Sequence, residues 1–179
     1  MSETPPEGGP GRPLLDAFTA AMAGKAETRA PTSVHGAVER FGWSTRDVAR
    51  EFGVSERTAR RWRQQDRIPA RRAEQWREVT RTAAAARQRA QIEARGLRGL
   101  TVTGEYRVSR SRYRARGNAP VRIMGDNRIT GATMREVFSA LDRGDADAAE
   151  AQLNDALADA YGAPGLSIES VDSLTYTVR

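Results

Sequence analysis

Five arginines fall within the eleven residues 57–67: Arg57, Arg60, Arg61, Arg63 and Arg67. A guanidinium is a planar fork of donors that grips two acceptors at once, either two phosphate oxygens or O6 and N7 of guanine. Glu56, just ahead of the run, is an acceptor suited to the amino group of cytosine. This is chemistry for a nucleic acid, provided one rigid element presents these side chains on a common face.

The surrounding residues predict that element. Ser44-Thr45-Arg46-Asp47-Val48-Ala49-Arg50-Glu51-Phe52-Gly53-Val54-Ser55 leads into Glu56–Trp62. Two helices crossing through a turn of about three residues need a small residue at their contact, which Ala49 supplies. The turn needs a positive φ, which Gly53 permits. Val54 plugs the gap, and Ser55 caps the second helix through its hydroxyl. Val48, Phe52, Ala59 and Trp62 form a small core with a preceding helix over Ser33–Phe41, whose apolar spacing is Val34, Val38 and Phe41. The second helix then exposes Glu56, Arg57, Thr58, Arg60, Arg61 and Gln64, as a helix in the major groove must. Arg57 and Arg61 are the candidates for guanine and Glu56 for cytosine. Thr45, Arg46, Arg60 and Arg63 are the candidates for phosphates. Ser55, Thr58 and Gln64 complete the expected DNA-contacting set. A hairpin that merely packs would not need the arginines.

The whole chain agrees with a polyanionic partner. It has 179 residues, a net charge of +6 and a pI near 10.6. Lys25 is the only lysine, so arginine makes up 28 of the 29 basic residues. A GC-rich genome accounts for that ratio; their placement carries the function. Residues 40–98 hold 16 arginines against 7 acids, residues 101–132 hold 7 against 2, and residues 133–179 hold 3 against 9. The basic part faces DNA and the acidic end faces something else. With no cysteine, disulfides and cysteine zinc sites are excluded. The single histidine, His35, excludes any site needing two and is expected at the surface or in packing. No apolar run is long enough for a membrane span and no signal layout opens the chain, so a cytoplasmic, nucleoid-associated bacterial protein is expected.

The expected fold class is mixed: an N-terminal all-α helix-turn-helix domain, a long basic helix, and a small C-terminal α+β domain. Residues 1–31 form a mostly disordered segment, rich in proline and glycine, with a short helix over about 14–22 and a linker over 23–31. Residues 32–68 are the helix-turn-helix domain. Residues 69–96 are a long basic connecting helix opened by Pro69, with an apolar seam of Trp76, Val79, Ala83, Ala86 and Ala90 that packs on its own chain or forms a homodimer. Residues 97–179 follow as β-β-α-α-β. Leu100, Val102, Gly104, Tyr106 and Val108 alternate as a strand, and Val121–Met124 is a second. Thr133 and Glu136 read as a capping box opening a helix that buries Met134, Val137, Phe138 and Leu141. Asp145 caps another, with Ala149, Leu153, Leu157 and Tyr161 as its apolar side. A last strand, broken near Asp172, ends the chain.

Between the first two strands, Arg110, Arg112, Arg114 and Arg116 interleave with Tyr113 and follow Tyr106. Basic residues with aromatics suit secondary contacts to single-stranded nucleic acid; a charged edge that discourages aggregation is the alternative. No phosphate loop, zinc-protease motif or dinucleotide fingerprint is present, and no cofactor, metal or self-contained enzyme is expected. Asp145-x-Asp147 is explained by helix capping, and Gly125-Asp126-Asn127 by a turn.

Three pieces of the chain resemble the telomere terminal protein (Tpg) family of actinobacterial linear chromosomes and plasmids. They are Ala30-Pro31-Thr32-Ser33 before a helix; Ser44-Thr45-Arg46-x-Val48-Ala49 running into Gly53-Val54-Ser55-x-Arg57-Thr58; and Ala156-Leu157-Ala158-x-x-Tyr161, Gly165-Leu166 and Val171-Asp172 near the end. The resemblance implies a protein that binds telomeric DNA with a telomere-binding partner protein and primes a DNA polymerase from a side-chain hydroxyl. The 5′ end then stays covalently attached. The polymerase supplies the chemistry and this chain the acceptor. The family uses a threonine in its β-rich middle. No residue here aligns with it, and the hydroxyls of that region are Thr101, Thr103, Tyr106, Ser109, Ser111, Tyr113 and Thr130. Ser109 and Ser111 lie closest to the implied attachment position. The alternative is a helix-turn-helix transcriptional regulator or plasmid maintenance factor, dimerising through its acidic domain. An excisionase-like architectural factor fits the Trp62 to Pro69 stretch but not the further C-terminal domain.

Overall fold

The computed structural model describes residues 13–108, 121–123 and 128–178. The chain divides into two compact units. One is Met22–Ala90; the other takes in the segment ending at Ala21 and everything from Gln91 onward.

In Met22–Ala90 the elements are the latter part of α1 (Leu14–Arg29), α2 (Val34–Phe41), α3 (Thr45–Phe52), α4 (Glu56–Gln65), a 3-10 turn (Ala70–Arg72) and most of α5 (Ala73–Arg95). Helix α1 does not stop near residue 22 as expected. It continues to Arg29 and buries Ala26, because a lone Gly24 in an alanine-rich run does not end a helix. Val34, Ala37, Val48, Ala49, Phe52, Ala59, Trp62 and Trp76 form the core, with Phe41, Trp43, Val54, Ile68 and Val79 packed against it. Phe52 is its centre. It stacks on Trp76 with centroids 5.0 Å apart and meets Trp62 edge-on at 6.0 Å. The indole Nε1 of Trp76 donates to the Pro31 carbonyl at 2.9 Å, so the one polar atom of this buried ring is satisfied.

Trp76 therefore makes α5 part of the helix-turn-helix core and not only a connector. The buried row of α5 also differs from the expected seam. It is Trp76, Thr80, Ala84, Gln88 and Ile92, at steps of four, whereas Ala86 and Ala90 are exposed. Apolar periodicity misread it because two members are polar. The Thr80 hydroxyl is satisfied inside the helix by the Trp76 carbonyl at 2.8 Å. The helix proper starts at Ala73, after the 3-10 turn, and not at Ala70.

The other unit is β1 (Leu97–Val108), β2 (Val121–Ile123), α6 (Gly131–Asp142), α7 (Ala146–Tyr161) and β3 (Leu166–Val178), with the first turns of α1. The order β-β-α-α-β is as expected, and the sheet is antiparallel with order β2-β1-β3. Strand β3 is continuous. Asp172 marks a bulge: Thr103 pairs with Ser173 and Gly104 with Val171, so Asp172 has no opposite number. Gly104 sits there with φ 158°. The sheet packs one face, with Leu100, Val102, Val171 and Tyr176 buried.

Helix α6 begins at Gly131, capped by Thr130, whose hydroxyl accepts from the Thr133 amide at 3.2 Å. The helix thus starts earlier than the capping box expected at Thr133 and Glu136, and its cap is the Thr130 hydroxyl in place of that box. Leu141 is half-buried while Ala140 is buried. Asp145 caps α7 as expected, accepting from the Ala148 amide at 3.1 Å. Tyr161, expected on the apolar side of α7, is 47% exposed, and Ala156, Ala158 and Ala160 are buried in its stead. The start of α1 is held by Glu150, whose carboxylate accepts from the amides of Leu14 and Leu15 at 3.1 and 2.6 Å. Asn154 ties the same carboxylate to the Ile168 amide of β3.

Candidate nucleic-acid interface

The turn between α3 and α4 is built as its residues require. Ser44 and Asp47 form a reciprocal capping box at the start of α3. The Asp47 carboxyl lies below its ordinary pKa because the charged form accepts from the hydroxyl and amide of Ser44. Gly53 ends the helix in the left-handed region at φ 59°, its amide bonded to the carbonyls of Ala49 and Arg50. Ser55 then caps α4: its hydroxyl accepts from the Thr58 amide at 3.2 Å and shares a bond with the Thr58 hydroxyl at 3.0 Å. Ser55 and Thr58 are thereby engaged in starting the helix.

With about 3.6 residues per turn, burying Ala59 and Trp62 turns Arg57, Arg60, Arg61 and Gln64 to the opposite side. All four are exposed. Together with Thr58 they line a shallow hollow of about 320 Å³. Arg63 and Glu56 lie on the flank, also exposed. Among the described residues, no carboxylate pairs with Arg57, Arg60, Arg61 or Arg63. Among the described residues, four guanidiniums thus stand free on one short helix. The acids of this region are committed elsewhere: Asp47 and Glu51 to Arg50, and Glu56 to Arg46. Thr45 is half-buried at the first turn of α3, and Arg46 beside it is exposed.

The far end of α4 is fixed by a residue that the motif did not reveal. Asp66 adopts φ 45° and closes the helix, with its amide on the Trp62 and Arg63 carbonyls. Its carboxylate accepts from the His35 amide at 2.9 Å, and the His35 ring nitrogen Nδ1 lies 3.6 Å away. That bond holds the Asp66 carboxyl below its ordinary pKa, with Ser33 adding to it. The readable signal was an aspartate, a residue that tolerates positive φ, directly after a helical run.

Residues 36–70 match the family model of a homeodomain-like domain. The match runs from within α2, through α3 and α4, to the start of the 3-10 turn. Neither a characterised protein nor a solved structure matches the chain. A homeodomain-like helix-turn-helix suggests DNA as the partner, and the exposed face of α4 has the charge for it.

The second expected interface falls largely outside the described residues: Ser109, Arg110, Ser111, Arg112, Tyr113, Arg114 and Arg116 all do. Tyr106 is described. It pairs with Ile168, is half-buried, and shares the face of β1 that carries Leu100 and Val102, so its ring is not on the open side of the sheet. Thr101 and Thr103 are half-buried on the alternate positions. Among the described residues, no cluster of three or more histidines or carboxylates is placed to hold a metal, and no helix is long and apolar enough to cross a membrane.

Proposed function

We propose that this protein binds duplex DNA by laying the exposed face of α4 in the major groove. The observation that carries it is the run of guanidiniums, Arg57, Arg60, Arg61 and Arg63, unpaired among the described residues, on a helix whose other side is locked into an aromatic core. Arg57 and Arg61, in the first two turns of α4, read guanine. Arg60 and Arg63, with Thr45 at the start of α3, hold phosphates and set the register.

The finer role we propose is that of a terminal protein of a linear replicon, binding telomeric DNA and serving as protein primer and 5′-end cap. Its support is the sequence resemblance. A side-chain hydroxyl, with Ser109 and Ser111 as candidates, attacks the α-phosphorus of a nucleoside triphosphate on a DNA polymerase. The new bond is a phosphodiester to the side-chain oxygen, and pyrophosphate leaves. The polymerase and a telomere-binding protein are the implied partners.

Two experiments test these levels separately. Footprinting over a replicon end and over internal DNA tests the first: protection of ends fits a terminal protein, and protection of an internal palindrome identifies a regulator without priming activity. Incubation with polymerase, telomeric single strand and labelled nucleotide tests the second. Label bound covalently to the protein is expected. Its absence there, and on protein recovered from cells, removes the priming role and leaves DNA binding standing.

A further inference from the structure

We propose that Arg46 is a positioning residue for base reading: it holds Glu56 so that a Glu56 carboxylate oxygen faces the amino group of a cytosine. This rests on the reading that α4 enters the major groove, and it assigns Arg46 a role other than a phosphate contact.

The geometry is an ion pair across the turn. Arg46 is the second residue of α3, Glu56 is the first of α4, and Arg46 Nε lies 3.5 Å from Glu56 Oε1. Fold stability does not account for an arginine there. A cation in the first turn of a helix opposes the helix dipole. The start of α3 is already satisfied by Ser44 and Asp47, and Arg50 balances the nearby acids. The side chains of Arg46 and Glu56 are 82% and 54% exposed, so in the free protein the pair contributes little.

The pair matters once DNA is bound. Glu56 is the only carboxylate in α4, at the end that approaches the bases. A bare carboxylate between phosphate backbones would be repelled and stripped of water with no compensation. Arg46 supplies the compensation and restricts the rotamers of Glu56. Its contact uses Nε and Oε1, which leaves Oε2 as an acceptor. A cytosine amino group is the base-edge donor that a carboxylate suits.

The test begins with the full chain selecting sites from a duplex pool randomised over about two helical turns. The wild type is expected to select a site with one position fixed as cytosine that Glu56→Gln relaxes. Arg46→Ala is expected to relax that same position by about tenfold and leave the other positions and the slope of log affinity against log salt nearly unchanged. The double variant should discriminate there no worse than either single one. If Arg46→Ala weakens every duplex equally and lowers the salt slope by about 1, Arg46 is a phosphate contact and the proposal falls. It also falls if Arg46→Ala changes neither quantity. A wild type that selects no duplex sinks DNA reading by α4 itself, and thermal midpoints of the variants establish that they fold.

Discussion

The backbone amide of His35 donates to the Asp66 carboxylate at 2.9 Å, tying the start of α2 to the end of α4. The basic helix is thus pinned at both ends, by Ser55 at its beginning and by Asp66 at its close. A rigid helix is what groove reading needs, since misplacement by a fraction of an ångström degrades several contacts together.

This tie makes the helix-turn-helix sensitive to acid. The folded pKa values of Asp66 and Asp47 are both depressed, so their contributions are complete above the ordinary carboxylate pKa. They are lost as pH falls through the lower folded values. Thermal midpoints should therefore decline on acidification below the usual carboxylate range. Asp66→Asn with Asp47→Asn should flatten that decline, and a decline of unchanged steepness would show that other carboxylates are responsible.

Two glycines should respond differently to alanine. A Cβ on Gly53 meets nothing within 4 Å, so Gly53→Ala has only the left-handed backbone to oppose it, about 1–2 kcal/mol. A Cβ on Gly104 would lie 2.0 Å from the Ser170 carbonyl oxygen. The strands must separate there, and Gly104→Ala should be the more damaging. Denaturant midpoints of the two variants check the order.

Gln88 is 2% exposed, and neither end of its amide has a partner among the described residues. An unsatisfied buried polar group costs about 1–3 kcal/mol. Gln88→Leu, of similar volume, should therefore raise the thermal midpoint. A fall would mean that the amide is satisfied in solution and that its burial is compensated.

These cases show what was legible in the sequence. Ala49, Gly53, Val54 and Ser55 act locally, so their types and spacing predicted the turn, and the capping and dihedrals follow. Residues that act through distant partners were not legible. Trp76 reads as part of a connector until Phe52 is seen stacked on it. Asp66 reads as one more surface acid until its carboxylate is placed against His35. The polar members Thr80 and Gln88 broke the apolar period of α5, and the expected seam moved off the true one. In the other unit, Asp172 reads as a strand break because a bulge and a break look alike in one dimension.

DNA binding by α4 is tested most directly by equilibrium titration of the wild type and of Arg57→Ala with Arg61→Ala against a selected duplex and a scrambled one, over a range of salt. The double variant should lose about 1–3 kcal/mol per arginine on the selected duplex and most of its preference over the scrambled one. Unchanged affinity for both duplexes, with an unchanged salt response, would contradict a DNA-reading role for α4.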